Sequence, residues 1–174
     1  DPRRLDVAAA AAAAAALDGR WPLSELARLA DDAAGTVDEP VEWSARFEQR
    51  REHGGAPQVW LHLRAQARVA RECQRCLQPV LLALNVDRAF RFMATEDEAA
   101  ALDAESEDDV LVLSRQFDLR ELVEDELLLA LPIVPKHEHC PAPWISAAPA
   151  QTAEDAAPAH PFAALASLKR RNSP

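Results

Sequence analysis

At 174 residues, 49% of them hydrophobic, the chain is long enough for one modest core with tails and short for two full domains. A formal net charge of -10 and a pI near 4.9 exclude a protein that coats nucleic acid with its whole surface. Three cysteines, no secretory leader and no run of about 18 apolar residues lead us to expect a cytoplasmic chain, without membrane insertion or a disulfide framework.

The alanine-rich stretch at residues 5–17 predicts a helix, because alanine loses no side-chain entropy on folding, and Gly19 supplies a stop. Asp6 and Asp18 flank the run and argue against the apolar centre of a targeting peptide. Ser24 is placed to cap a second short helix over residues 25–30, with Leu23, Leu26 and Leu29 recurring three apart toward a core.

From Val41 the period changes to two. Val41, Trp43, Ala45 and Phe47 alternate with Glu42, Ser44, Arg46 and Glu48, which predicts a strand with one dry face. Gly54 and Gly55 break it, and a longer strand follows at residues 59–69, with Leu61, Leu63, Ala65, Ala67 and Val69 inward and His62, Arg64, Gln66 and Arg68 outward. Leu82, Leu84, Val86, Phe90 and Phe92 share the parity of a third strand that Arg88 interrupts. Short connections between these strands predict an antiparallel meander.

Residues 95–109 are acidic and without apolar periodicity, and read as a loop; residues 110–113 read as a fourth strand. Asp118 then caps a helix whose stripe is Leu119, Leu122, Val123, Leu127, Ala130 and Leu131, and Pro132 ends it. The expected fold is α+β: an antiparallel β-meander of about four strands, curled towards a barrel, with N-terminal helices and one acidic amphipathic helix packed on it. We expect a single domain over residues 1–140 with a helical arm at 1–36, a linker at 141–159, and a short basic amphipathic tail at 160–174 that includes Phe162, Leu165 and Leu168.

Chemistry concentrates at Cys73-Gln-Arg-Cys76. A C-x-x-C between two strands points both thiols to one side of a tight turn, which suits a tetrahedral metal or a redox pair. His137 and Cys140 repeat the same spacing downstream, so Cys73, Cys76, His137 and Cys140 form a candidate zinc set. Three reduced thiols with surface histidines are the plainer alternative. The turn does not open a helix, which argues against a thioredoxin-like pair.

Charge is also uneven along the chain. Residues 46–95 carry nine Arg against four acidic residues, a net of +5, whereas residues 96–126 carry thirteen acidic residues against two Arg, a net of -11. Arg64, Arg68, Arg71, Arg75 and Arg91 are the candidate RNA-phosphate contacts, set against the alternative of an ordinary solvated sheet face. No Gly-rich phosphate loop, H-E-x-x-H motif or serine flanked by glycines is present, and we expect no enzymatic activity.

Taken together, Cys73-Gln-Arg-Cys76-Leu-Gln-Pro79, the segment from Asp118 to Pro132 (D-L-R-E-L-V-E-D-E-L-L-L-A-L-P) and Pro135-Lys-His-Glu-His-Cys140 resemble the YceD family of large ribosomal RNA subunit accumulation proteins. The resemblance implies a non-enzymatic factor in large-subunit biogenesis that supports 23S rRNA. Its expected partners are 23S rRNA or its precursor, or a large-subunit assembly protein, with no membrane and no small-molecule substrate. No cofactor is required by this resemblance. Some relatives carry further cysteines after the helix-ending proline, where this chain has His137, His139 and Cys140. The alternative function is a small zinc-binding structural or redox module not linked to ribosomes.

Overall fold

The computed structural model describes residues 1–31, 33–35, 37–51, 57–106 and 109–141. The expected glycine break at 54–55 and nearly all of the linker and tail lie outside them. Five strands form one sheet in the order β1-β2-β3-β4-β5: Ala16–Trp21, Val41–Arg50, Gln58–Glu72, Pro79–Met93 and Asp109–Val112. The architecture is α+β as expected, but the sheet is not closed into a barrel.

The expected meander is present in β2, β3 and β4, which pair antiparallel over long registers, from Arg50↔Gln58 in one hairpin to Glu72↔Pro79 in the other. Their alternation buries Val41, Phe47, Leu61, Leu63, Val69, Leu84 and Phe92 on a single face. That face carries the hydrophobic core, covered by α1 (Val7–Ala12), α2 (Ala27–Ala30) and α4 (Leu119–Leu129). Val7, Leu26, Leu29, Leu119, Val123 and Leu127 close it and are fully buried, each stabilising the fold by roughly 1.5–3 kcal/mol.

Three expectations are corrected. The alanine helix stops at Ala12, because Ala14 takes a left-handed φ of 47° and turns the chain into β1. Gly19 is therefore no helix stop. It sits in β1 opposite Trp43, where a Cβ would lie 2.8 Å from Cζ2 of that indole. Only glycine lets Trp43 lie over the strand and stack on Trp21, with ring centroids 4.4 Å apart.

The second correction concerns residues 95–109. Thr95 accepts a hydrogen bond from the Glu98 N–H and caps a helix, α3 (Glu96–Asp103), with three acids in its first turn. This helix is the crossover that brings β5 back parallel to β4, so the sheet is mixed.

The third concerns the short N-terminal helix. Ser24 lies in a 3₁₀ turn, Leu23–Glu25, and α2 begins only at Ala27, with no side-chain cap from its own segment. Glu124 of α4 takes that role, accepting the N–H groups of Arg28 at 2.7 Å and Leu29 at 3.1 Å and pairing with the Arg28 guanidinium at 3.1 Å. Asp125 also holds Arg28, and Glu126 faces Arg88 at 3.6 Å. The Glu-Asp-Glu run of α4 thus makes internal contacts that fasten the helical layer.

Candidate metal centre

β3 ends at Glu72 and β4 begins at Pro79, so the turn between them must reverse the chain within six residues. It does so through bonds from the Cys73 N–H to the Gln78 carbonyl and from the Leu77 N–H to the Cys73 carbonyl. Leu77 takes a left-handed φ of 60°. Cys73 falls at the buried end of this turn and Cys76 on its side. The segment after α4 docks here: the Gln74 N–H donates to the Pro135 carbonyl at 2.8 Å, which carries His137 and Cys140 onto the thiols.

The donor atoms of Cys73, Cys76, His137 and Cys140 all lie within 4.8 Å of one another. Cys73 and Cys140 sulfurs are 3.8 Å apart, matching the edge of about 3.8 Å in a tetrahedron with zinc–sulfur bonds of about 2.3 Å. Nδ1 of His137 is 3.4 Å from the Cys76 sulfur, and its Nε2 lies 3.0 Å from the Pro79 carbonyl. A carbonyl only accepts, so Nε2 carries the proton and Nδ1 keeps its lone pair for a ligand. The residues expected to bind metal therefore converge, and the donor set fits a structural metal ion. His139 is not among the converging donors.

The electrostatics agree. Burial would push the Cys73 thiol up, but backbone N–H groups of His137, Arg75 and Cys76, together with the Cys76 side chain, bring its pKa down to about 5. Burial pushes Cys76 up, and the hydrogen bonds it shares with Cys140 and Cys73 add to that. A bound metal would supply the positive charge that ionises this second thiol. Arg75 stands beside the cluster, donating from Nε to the Cys140 sulfur at 3.0 Å and from its outer nitrogen to the carbonyls of His137 and Glu138. Sequence reasoning missed the Pro79 and Pro135 carbonyls, which are backbone groups without a residue-type signature.

The candidate RNA arginines do not converge. Arg64 pairs with Asp87 and Arg68 with Glu39, both at 3.1 Å on the outer sheet face. Arg71 has inward parity; it is 8% exposed and donates to the Leu29 carbonyl at 2.7 Å and the Ala70 carbonyl at 3.2 Å. Arg75 is held at the cysteine turn. Arg91 lies 6.0 Å from the centre of the Trp60 ring, which Arg50 also covers at 4.6 Å.

The sequence model described as large ribosomal RNA subunit accumulation protein YceD matches residues 61–169, from near the start of β3 past both halves of the cysteine cluster. The chain belongs to the YceD family. A YceD protein of Haemophilus influenzae, called a large ribosomal RNA subunit accumulation protein, is 37% identical over 103 residues, covering 58% of this chain and 59% of that relative. The chain thus matches less than two thirds of the relative's length. No solved structure matches it. Among the described residues no helix is long and apolar enough to cross a membrane. The YceD match is the larger frame in which the cysteine turn, the Glu-Asp-Glu helix and the returning His137 segment are one unit.

Proposed function

We propose that this protein is a non-enzymatic, cytoplasmic factor of bacterial large ribosomal subunit biogenesis that supports accumulation or processing of 23S rRNA. Membership of the YceD family carries the reading, because the match spans the cysteine turn, α4 and the return that holds His137 and Cys140. In this reading Cys73, Cys76, His137 and Cys140 hold zinc. Four protein donors would fill the four positions zinc takes in structural sites, with none left for substrate or an activated water. The metal then fastens the end of α4 to the tip of the β3–β4 hairpin. Direct contact with 23S rRNA or its precursor would fall to Arg64, Arg68 and Arg91, and the other route is a large-subunit assembly protein.

The test is deletion of the gene in its host, with the ratio of 23S to 16S RNA measured on total RNA. A fall in 23S relative to 16S is expected, and an unchanged ratio overturns the reading. A second reading, a zinc-binding structural or redox module unconnected with ribosomes, is favoured by the convergence of three sulfurs alone. It predicts zinc in the purified protein together with an unchanged rRNA ratio.

A further inference from the structure

Among the described residues the exposed large hydrophobic side chains are Leu77, Leu81, Leu129, Ile133 and Val134. Ile133 is 100% exposed and Leu129 76%, so neither contributes to the core. All five fall in two short segments, the cysteine turn with the start of β4 and the end of α4 with the chain just beyond it. Those segments are tied to each other by the Gln74 to Pro135 hydrogen bond and by the His137 contacts to Cys73 and Pro79. Leu77 is also the residue that the turn forces into a left-handed φ. Exposed apolar side chains gathered at one end of a domain mark an interaction site.

We infer that this cysteine-bearing end is a docking surface for a basic protein that presents an apolar anchor. The inference rests on the assembly-factor reading and chooses between its two routes. A phosphate backbone needs free cations at the surface it meets; Arg64, Arg68, Arg71 and Arg75 already have carboxylate, carbonyl or sulfur partners, and Arg91, which faces the Trp60 ring, lies at the opposite end of the β3–β4 hairpin from the cysteine turn. The formal net charge of -10 repels RNA and attracts a cationic chain of the kind that itself binds rRNA. Apolar anchors supply affinity at such a surface while the long-range charge sets the encounter rate. The contacts of Cys73, Cys76, His137 and Cys140 hold the two segments in register, so the surface depends on the residues of the proposed metal site.

The experiment uses the full chain with a photo-crosslinking benzoylphenylalanine at Ile133. It is irradiated with the mixed proteins stripped from large subunits by high salt, and separately with naked large-subunit RNA. Crosslinking to a basic protein identified by mass spectrometry is expected, and a Leu77→Ser/Val134→Ser background should lower the yield about tenfold. The melting temperature of that background should stay at the wild-type value, because both side chains are exposed. Preferential crosslinking to RNA, to a second copy, or to residues 142–174 of the same chain overturns the inference. So does a yield that ignores the double substitution.

In the deletion strain, the Leu77→Ser/Ile133→Ser variant should leave 23S as low as no protein does. Full restoration by that variant, where deletion itself lowers 23S, overturns the docking surface and leaves the rRNA reading standing. Deletion without effect on 23S removes the basis of both.

Discussion

The cysteine end and the outer face of the sheet were both expected to be functional, and the structure treats them oppositely. At the cysteine end, four donors from segments some sixty residues apart meet within 4.8 Å, and backbone N–H groups of His137, Arg75 and Cys76 bear on the Cys73 sulfur. On the outer face the arginines stay apart. Arg20 pairs with Glu42, Arg64 with Asp87 and Arg68 with Glu39, so three of its cations are already engaged by carboxylates, and Arg91 faces the Trp60 ring. The spaced donors meet because hydrogen bonds from Gln74 to Pro135 and from His137 to Cys73 and Pro79 dock one segment on the other, whereas a basic run is only as basic as the carboxylates that fold against it.

Removing the metal should break the contrast most visibly. Purified protein is expected to carry about one zinc per chain, and Cys73→Ser or a strong chelator should abolish it, read by elemental analysis. With free zinc at about a thousandfold excess over its dissociation constant, chelation should lower Tm by on the order of 10 °C. Arg64→Gln on the outer face should leave both zinc content and Tm unchanged. Protein that contains no zinc and melts identically with and without chelator would make the cluster three reduced thiols and a histidine.

The next largest effect separates two arginines that the sequence grouped together. Arg71→Leu keeps the apolar stem but leaves the Leu29 carbonyl without its donor, while the Ala70 carbonyl keeps the Ala34 N–H, at a cost of about 2 kcal/mol in urea unfolding. Had Arg71 been a phosphate contact, the same substitution would have been neutral for stability.

Parity was the legible signal here, and it was legible in full. Leu61, Leu63, Ala65, Ala67 and Val69 place Arg71 inward, as counting by two requires, and the arginine was grouped with its outward neighbours on charge alone. The same counting recovered β2, β3 and β4, and the repeated x-x spacing picked out the four side chains that the fold brings within 4.8 Å of one another. β1 was hidden by alanine, which reads as helix while Leu17, Gly19 and Trp21 alternate inward, and by a glycine that serves Trp43 instead of a helix end. The signal for α3 was present in Thr95 and Glu98, a capping pair masked by the acidity around it. Nothing local could reveal the parallel return of β5, Glu124 reaching the amides of α2, or the apolar residues left uncovered at Leu77 and Ile133. Those depend on which elements meet.

A smaller effect tests the acidic helix on the inner side of this division. Burial raises the Glu126 pKa; Arg88 opposes that shift, and Asp109 and Asp125 add to it. A carboxyl with a raised folded pKa contributes stability below its ordinary value of 4.5 that is lost as pH climbs through the raised one. Glu126→Gln should therefore melt slightly higher than wild type at pH 7, and the gap should close on acidification below 4.5. A variant that melts lower at pH 7 would make the Arg88 pair the dominant contact.

The smallest expected effect belongs to the outer face itself. Arg64 and Asp87 are 73% and 71% exposed, so water screens the pair and both long side chains lose freedom in forming it. Arg64→Gln and Arg68→Gln should each change stability by no more than about 0.5 kcal/mol, with even that difference fading in high salt. Affinity for naked large-subunit RNA should likewise be weak at physiological salt and little altered by the pair of substitutions, since each removes a cation that a carboxylate already engages. A steep loss of RNA binding would mean that Asp87 and Glu39 release their arginines to phosphate. The outer face would then join the cysteine end as a working surface, and the asymmetry between the two regions would be one of timing, set by when RNA displaces the carboxylates.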